Sequence, residues 1–344
     1  MVPVQALELP EQIELDQLCA LAGAALERSP LGEVHHAGRS FKLESFALGN
    51  PHSDLPAVAF VGGVHGLERI GAEVVIAYLR SLVMRLRWDD TLHRQLERVR
   101  LVFMPLVNPG GIWRGTRANP QGVDLMRNAP VDAGQRAPYL IGGQRLSAKL
   151  PWYRGVEGAP MQAESAALCA LIERELLGRP FSMAVDCHSG FGLIDRIWFP
   201  FAHTAKPIAH LAELHRLSEM LDQSLPNHTY VMEPQSRQYL AHGDIWDHLY
   251  LQSQAHPSAV FLPLTLEMGS WVWVKKNPRQ LFKRGGIFNP LIEHRQQRVL
   301  RRHMSWLDFI SRAASSHARW LPQGTARERQ QELALAHWYR KVAA

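Results

Sequence analysis

The chain has 344 residues, 46% of them hydrophobic and 20% charged, which is typical of a globular protein with a buried core. Its net charge is +6, but the densest basic stretch, residues 293–302, has no interleaved aromatic side chains, so we expect no nucleic-acid partner. No apolar run approaches the ~20 residues of a membrane span, and the first residues lack a basic segment followed by an apolar core, so we expect neither a membrane partner nor a secretory signal.

Hydrophobic periodicity divides the chain into alternating helices and strands. Helices are predicted over residues 13–26, from just after Glu68 to about residue 82, over 290–314 and over 326–343. Strands are predicted over residues 40–47, 57–61 and 181–188. We therefore expect one α/β catalytic domain over residues 1–320 with an N-terminal helical extension, followed by a C-terminal helical extension over residues 321–344.

The first candidate site lies where the strand 57–61 ends. His65 falls in the turn after Gly62-Gly63, and Glu68 stands three residues later, where the next helix begins. Ligands of open α/β sheets bind outside the carboxyl ends of the strands. His65 and Glu68 can converge there on one metal ion, although an isolated His-x-x-Glu pair is also common on protein surfaces.

The third candidate ligand is His188, at the end of the predicted strand over residues 181–188. It lies 123 residues beyond His65 (188 − 65). A histidine at a strand end is often a hydrogen-bonded structural residue. Two histidines with one carboxylate, however, form the ligand set of a catalytic zinc with an open position for water. We therefore predict one Zn²⁺ per chain, held by His65, Glu68 and His188.

Three further motifs carry a family resemblance: Trp113-Arg114-Gly-Thr-Arg117, Gly122-Val-Asp124-Leu-Met-Arg127-Asn128 and Thr265-Leu-Glu267-Met-Gly269. Together with the three ligand candidates, and in this order, they resemble the zinc carboxypeptidases of the carboxypeptidase A type. The resemblance covers roughly residues 65–269. It implies a mixed, twisted β-sheet flanked by helices and hydrolysis by zinc-activated water.

The resemblance also implies roles for individual residues. Arg114 would stabilise the developing oxyanion, and Glu267 would be the general base. Arg127, with Asn128 beside it, would bind the terminal carboxylate of the substrate, and Tyr239 would cover the bound substrate.

Asp124 resembles the family carboxylate that hydrogen-bonds the first ligand histidine and fixes its tautomer. A simple turn aspartate after Gly122 is the alternative interpretation of this residue.

The chain departs from the family pattern at Met126, which stands where the family has asparagine. Methionine donates no hydrogen bond, so a substrate carboxylate loses one donor and depends on Arg127. We expect a metallocarboxypeptidase acting on a peptide or peptide-like amide. The alternatives are a zinc-dependent deacylase or amidase of N-acyl amino acids or cell-wall peptides, and a zinc-bearing binding protein without turnover.

The cysteines indicate the compartment. There are three, Cys19, Cys169 and Cys187, whereas a secreted disulfide framework needs more of them and in even number. We therefore expect free thiols and a cytoplasmic location. Cys187 adjoins His188, but alternation along a strand points the two side chains to opposite faces, so we do not expect it to bind the metal. The sequence sets no oligomeric state.

Overall fold

The structure is a computed structural model that describes residues 8–283 and 285–340. In this part of the chain eight strands form one sheet, with helices packed against it. The strands are β1 (Glu27–His36), β2 (Arg39–Gly49), β3 (Ala57–Gly62), β4 (Arg100–Met104), β5 (Phe181–Ser189), β6 (Arg196–Phe199), β7 (Val231–Pro234) and β8 (Val260–Met268). The helices are α1 (Pro10–Ala22), α2 (Arg69–Arg85), α3 (Asp90–Leu96), α4 (Pro109–Arg114), α5 (Ala163–Glu175), α6 (Leu211–Ser224), α7 (Ile245–Ser253), α8 (Trp271–Lys276), α9 (Glu293–Ser315) and α10 (Gly324–Trp338).

The sheet is mixed, which confirms the predicted fold class. Its strand order is β1-β2-β4-β3-β5-β8-β6-β7. The four central strands, β4, β3, β5 and β8, run parallel, whereas β1 and β2 at one side and the β8–β6 pair at the other are antiparallel. Every residue of β3, β4 and β5 is buried, as expected of parallel strands covered by helices on both faces. The carboxyl ends of β3, β5 and β8 therefore share one edge.

The sequence analysis did not predict the edge strand β1. It pairs with β2 through a register irregularity between Pro30 and Gly32, and most of its side chains are exposed or half-buried. Proline cannot donate to a ladder and is confined to edges and bulges. The strand thus lacks the apolar run by which β3 and β5 were predicted, and β4, β6 and β7 were likewise not predicted.

The predicted elements are confirmed with shifted ends. The strands over 40–47, 57–61 and 181–188 appear as β2, β3 and β5, and the helix after Glu68 is α2. The first predicted helix stops at Ala22, because Gly23 turns to a φ of 55° and a short 3₁₀ turn follows. The last predicted helix is observed as α10, and residues 341–343 of that prediction lie outside the described residues, as do residues 1–7.

The C-terminal helix α10 packs against α6 and the β7 edge. The Trp338 indole donates to the carbonyl of Met232 at 2.9 Å, and Arg327 forms an ion pair with Glu213 at 2.6 Å. The domain division at residue 320 stays a prediction. Among the described helices, none is long and apolar enough to cross a membrane.

Candidate active site

His65, Glu68 and His188 come together at the carboxyl edge of the sheet. His65 follows β3, Glu68 is the residue before α2, and His188 lies near the end of β5. Each side chain offers one ligand atom within 4.8 Å of the other two, and all three side chains are buried. Because β3 and β5 are paired in parallel, with Gly62 opposite Cys187, the long sequence separation closes into one site. Cys187 itself is buried and is not part of this cluster.

The glycines around His65 allow the loop to lie close against α4. Gly63 has a φ of +66°, a conformation that glycine adopts at little cost. A Cβ at Gly66 would lie 2.0 Å from the carbonyl carbon of Gly111. A side chain at either position would displace His65 from the site.

Hydrogen bonds orient the candidate ligands. Glu68 accepts from the backbone N–H of Ser189 at 2.9 Å and from Arg117 at 3.2 Å. His188 Nε2 lies 2.8 Å from Asp186 Oδ2, which also accepts from the Trp246 indole at 2.9 Å. Such outer partners fix ring orientation and tautomer in metal sites.

The sequence analysis missed Asp186. Its signal was available, because residues two apart on a strand point to the same face. Asp186 precedes His188 by two positions on β5, so the two side chains were bound to be neighbours.

Burial and neighbouring charges shift the pKa values of the three candidate ligands. Burial and the Arg117 charge lower the pKa of His65 well below its usual value. At His188 burial acts in the same direction, but Asp186 and Glu68 outweigh it and raise its pKa. Burial disfavours the Glu68 carboxylate, yet His65, His188 and Arg117 together lower its pKa.

These residues fit a zinc ion. Two imidazoles and a carboxylate are a known catalytic donor set for zinc. His65 Nδ1 is buried without a hydrogen-bond partner among the described residues, and such an orphaned atom is costly unless something binds it. Asp124 Oδ1 lies 3.7 Å from that nitrogen, too far for a hydrogen bond, so the predicted bond is absent although the two groups are adjacent.

The structure places Arg117 beside the candidate ligands, whereas the oxyanion role of Arg114 stays a prediction. Arg114 ends α4 and donates to the carbonyl of Pro120 at 2.8 Å. Arg117, three residues later, has Nη2 at 2.7 Å from His65 Nε2 and donates to Asp124 at 2.8 Å. The left-handed conformation of Gly115 ends the helix, so Arg114 lies in its last turn and Arg117 in the loop that follows. Both arginines belong to the motif over residues 113–117, and spacing alone did not distinguish them.

Glu267 lies beside the metal cluster. The parallel pairing of β5 and β8 places it directly opposite His188, and its Oε2 is buried without a partner among the described residues. Burial and the neighbouring Glu68 raise the pKa of Glu267 to about 8. A cation bound at the cluster would favour the ionised carboxylate and lower that value.

Arg127 is a buried cation at the same cavity. Its guanidinium donates to the carbonyl of Met126 at 3.3 Å and to the Tyr239 hydroxyl at 3.3 Å, and a longer bond reaches the carbonyl of Ile141. These acceptors are neutral, and no carboxylate of the described residues pairs with it. Buried arginines are rarely left without a counter-charge. One of these acceptors, the Tyr239 hydroxyl, lies 112 positions along the chain from Arg127, and its role in covering the substrate stays a prediction.

Asn128 is held by backbone groups and is not among the lining residues of the cavity, so its contact with substrate stays a prediction. Its Nδ2 donates to the carbonyl of Arg154 at 2.9 Å, and its Oδ1 accepts from the backbone N–H of Gln162 at 2.6 Å. Both ends of the amide are therefore used to hold neighbouring loops.

Four further residues line the cavity and were not predicted: Trp198, Gln235, Asp244 and Thr265. Asp244 begins α7 and accepts from the Trp246 and Asp247 backbone N–H groups through Oδ1, whereas its buried Oδ2 has no partner among the described residues. Burial raises its pKa to about 7.

Comparison with known proteins agrees with this geometry. Carboxypeptidase D of Anas platyrhynchos is 24% identical over 180 residues, which are 50% of this chain and 11% of that protein. The structure of carboxypeptidase A from Helicoverpa armigera has a TM-score of 0.65 at 16% identity and covers 91% of this chain and 74% of that one. Thrombin activatable fibrinolysis inhibitor has a TM-score of 0.66 at 16% identity, with 88% and 72% covered, so the fold is shared. The family model described as zinc carboxypeptidase matches residues 23–271, and the chain therefore belongs to the zinc carboxypeptidase family.

Proposed function

We propose that this protein is a zinc-dependent carboxypeptidase that hydrolyses a peptide or peptide-like amide with a free carboxylate on the leaving side. Arg127 carries this proposal. It is a buried guanidinium, surrounded by neutral acceptors, and it lines the same cavity as His65, His188 and Glu267. Asp244 interacts with Arg127 electrostatically, but no carboxylate of the described residues forms an ion pair with it. A substrate carboxylate would form that ion pair through a charge-assisted, bidentate contact.

His65, Glu68 and His188 would hold one zinc ion per chain. When bound there, zinc activates water and polarises the scissile carbonyl. Asp186 and the Ser189 backbone hold His188 and Glu68 in place. The remaining residues then have separable tasks.

Glu267 handles the proton. Its unpartnered Oε2 is the atom that would accept a proton from the attacking water and return it to the leaving amine. The β5–β8 pairing keeps it next to His188, so its distance from the cluster is set by backbone hydrogen bonds. Acid–base catalysis of this kind contributes about 10²–10⁴-fold.

Arg117 stabilises the negative charge that develops on the carbonyl oxygen. Its side chain is fixed by Asp124 and Glu68 at 2.8 and 3.2 Å, so the charge is oriented before the substrate arrives. Preorganised positive groups of this type are usually the largest catalytic contribution. Tyr239, hydrogen-bonded to Arg127, lies next to the bound carboxylate.

Met126 favours a second candidate function, the hydrolysis of an N-acyl amino acid or cell-wall amide. Its buried side chain lines the cavity and offers no hydrogen-bond donor. A substrate held there would be anchored more by its acyl part than by its carboxylate.

The free thiols of Cys19, Cys169 and Cys187 accord with a reducing, cytoplasmic location. Measuring the redox state of these cysteines in the native cell tests this part of the proposal.

The test compares kcat/KM of the zinc-loaded protein on matched free-acid and amidated peptides, and on acyl-amino acids. We expect free acids to be preferred, and Arg127→Met to abolish the preference. Arg136→Met is the matched control, because Arg136 is exposed and does not line the cavity. Equal rates on acids and amides would reject the carboxypeptidase function, and cleavage of acyl-amino acids alone would establish the second function.

A further inference from the structure

A second cavity lies between α8, α9 and the loop before β6. Its volume is about 420 Å³, within the range of small-molecule sites. It shares no lining residue with the catalytic cavity. We name it the α8–α9 cavity.

The charged groups of the α8–α9 cavity are mostly cationic. Lys276, Arg295, Arg298 and Arg302 line it, and Asp195 is its one carboxylate. Four cations against one anion leave a charge of +3 (4 − 1). Like charges held within one cavity repel one another, which costs free energy in the absence of a counter-ion.

Both carboxylate oxygens of Asp195 are already hydrogen-bonded, so Asp195 is not available to pair with the other cations of the cavity. Oδ1 accepts from the backbone N–H of Gly269 at 2.9 Å, and Oδ2 accepts from Arg302 at 2.7 Å. Arg295 donates to the carbonyl of Trp273 at 3.4 Å. Within the described residues, Lys276, Arg295 and Arg298 form no ion pair, so three cations remain for a ligand.

The helical periodicity of α9 places three of these cations on the same face of the helix. Arg295, Arg298 and Arg302 are spaced three and four residues apart on α9, which puts them on one face. Arg298 and Arg302 are exposed to solvent and also line the cavity, whereas Arg301, equally exposed in the same basic stretch, does not line it. The arginines of this stretch therefore differ in whether they face the cavity, and not in their exposure.

The base of the cavity is apolar. Val299 and the indole of Trp273 are buried there. A low-dielectric base strengthens the attraction between the surrounding cations and an anion. A cavity of this size also suits a small molecule better than an extended polymer.

We propose that the α8–α9 cavity binds a small molecule with two or more adjacent anionic groups, of the polyphosphate or polycarboxylate class. The cations come from about two turns of α9, between Arg295 and Arg302, and from the end of α8, so one monovalent anion contacts too few of them. Binding at this cavity is independent of the hydrolytic function proposed above.

The test is isothermal titration of the full-length, zinc-loaded protein with inorganic tripolyphosphate and, separately, with citrate, at about 0.15 M NaCl. We expect saturable binding of at least one of the two at one site per chain. Arg298→Glu and Lys276→Glu should each weaken it by about 10-fold or more, as expected when a charge-assisted contact is lost. Arg301→Glu, an equal charge change on the same helix, should alter it less than about 2-fold.

The two ligands identify the class, since binding of tripolyphosphate alone indicates phosphates and binding of citrate alone indicates carboxylates. Both ligands chelate zinc, and a heat signal from chelation would persist in Arg298→Glu. Such persistence overturns the proposal, as does the absence of saturable binding. An equal loss in Arg301→Glu also overturns it, because the attraction would then be to the helix charge in general.

Discussion

Replacing Arg117 by alanine should lower kcat/KM on a free-acid peptide by about 10²–10³-fold, roughly 2.7–4 kcal/mol, the cost of removing one oxyanion donor. The structure supports this magnitude because Arg117 is the guanidinium beside His65 Nε2 and is already oriented by Asp124 and Glu68. Arg114→Ala should change the rate by less than ~5-fold, since Arg114 binds the Pro120 carbonyl.

The comparison needs a check on the metal, because Arg117 also neutralises Glu68 and Asp124. Removing a cation beside a metal site increases the attraction for zinc, so zinc content should stay at one ion per chain. Arg117→Lys retains the charge and loses the planar fork, and should be intermediate. The assay is steady-state kinetics with metal analysis of the same preparations, in which kcat and kcat/KM should fall together. A 10²-fold loss in Arg114→Ala with Arg117→Ala near the parent rate would refute the role proposed for Arg117 and support the one predicted for Arg114.

Four further predictions follow from the site. His65→Ala or His188→Ala should each abolish zinc retention in metal analysis, and full zinc content in both variants would disprove the ligand assignment. Glu267→Gln should keep zinc and lose at least ~10² in kcat, so unchanged turnover would remove Glu267 from the mechanism. Met126→Asn should lower KM for free-acid peptides by about 2- to 12-fold, the worth of one hydrogen bond, and an unchanged KM would show that the carboxylate binds elsewhere. The raised pKa of Asp244, about 7, means that its neutral form is favoured near Arg127 below pH 7 and its carboxylate forms above pH 7. KM for free acids should therefore rise above pH 7, and Asp244→Asn should flatten that rise.

Much of this protein was predictable from local patterns. The buried strands β3 and β5 are short apolar runs ended by Gly62-Gly63 and by Ser189-Gly190, and burial on both faces demands such runs. The candidate ligands followed from chemistry, because two histidines and a glutamate at strand ends have few other common uses. Glu267 was predicted as the base from the family resemblance of the motif on its strand, and that role stays a prediction.

The tertiary structure decided what spacing leaves open. Arg114 and Arg117 are equivalent in sequence, and only the end of α4 at Gly115 determines which one contacts His65. The amide of Asn128 hydrogen-bonds the backbone of Arg154 and Gln162, because a buried amide binds the backbone groups that the fold brings within reach.

Long-range pairing decided the rest. β1 forms because its irregular, exposed segment pairs with β2. The cavity residue Asp244 lies at the start of α7, far in sequence from the motifs that predicted the site. Of the arginines over residues 293–302, Arg295, Arg298 and Arg302 line the α8–α9 cavity and Arg301 does not, because α8 and the loop before β6 pack against α9. Local sequence determines which side chains are available, whereas contacts between distant segments determine which of them face one another, because those contacts depend on the packing of the whole sheet.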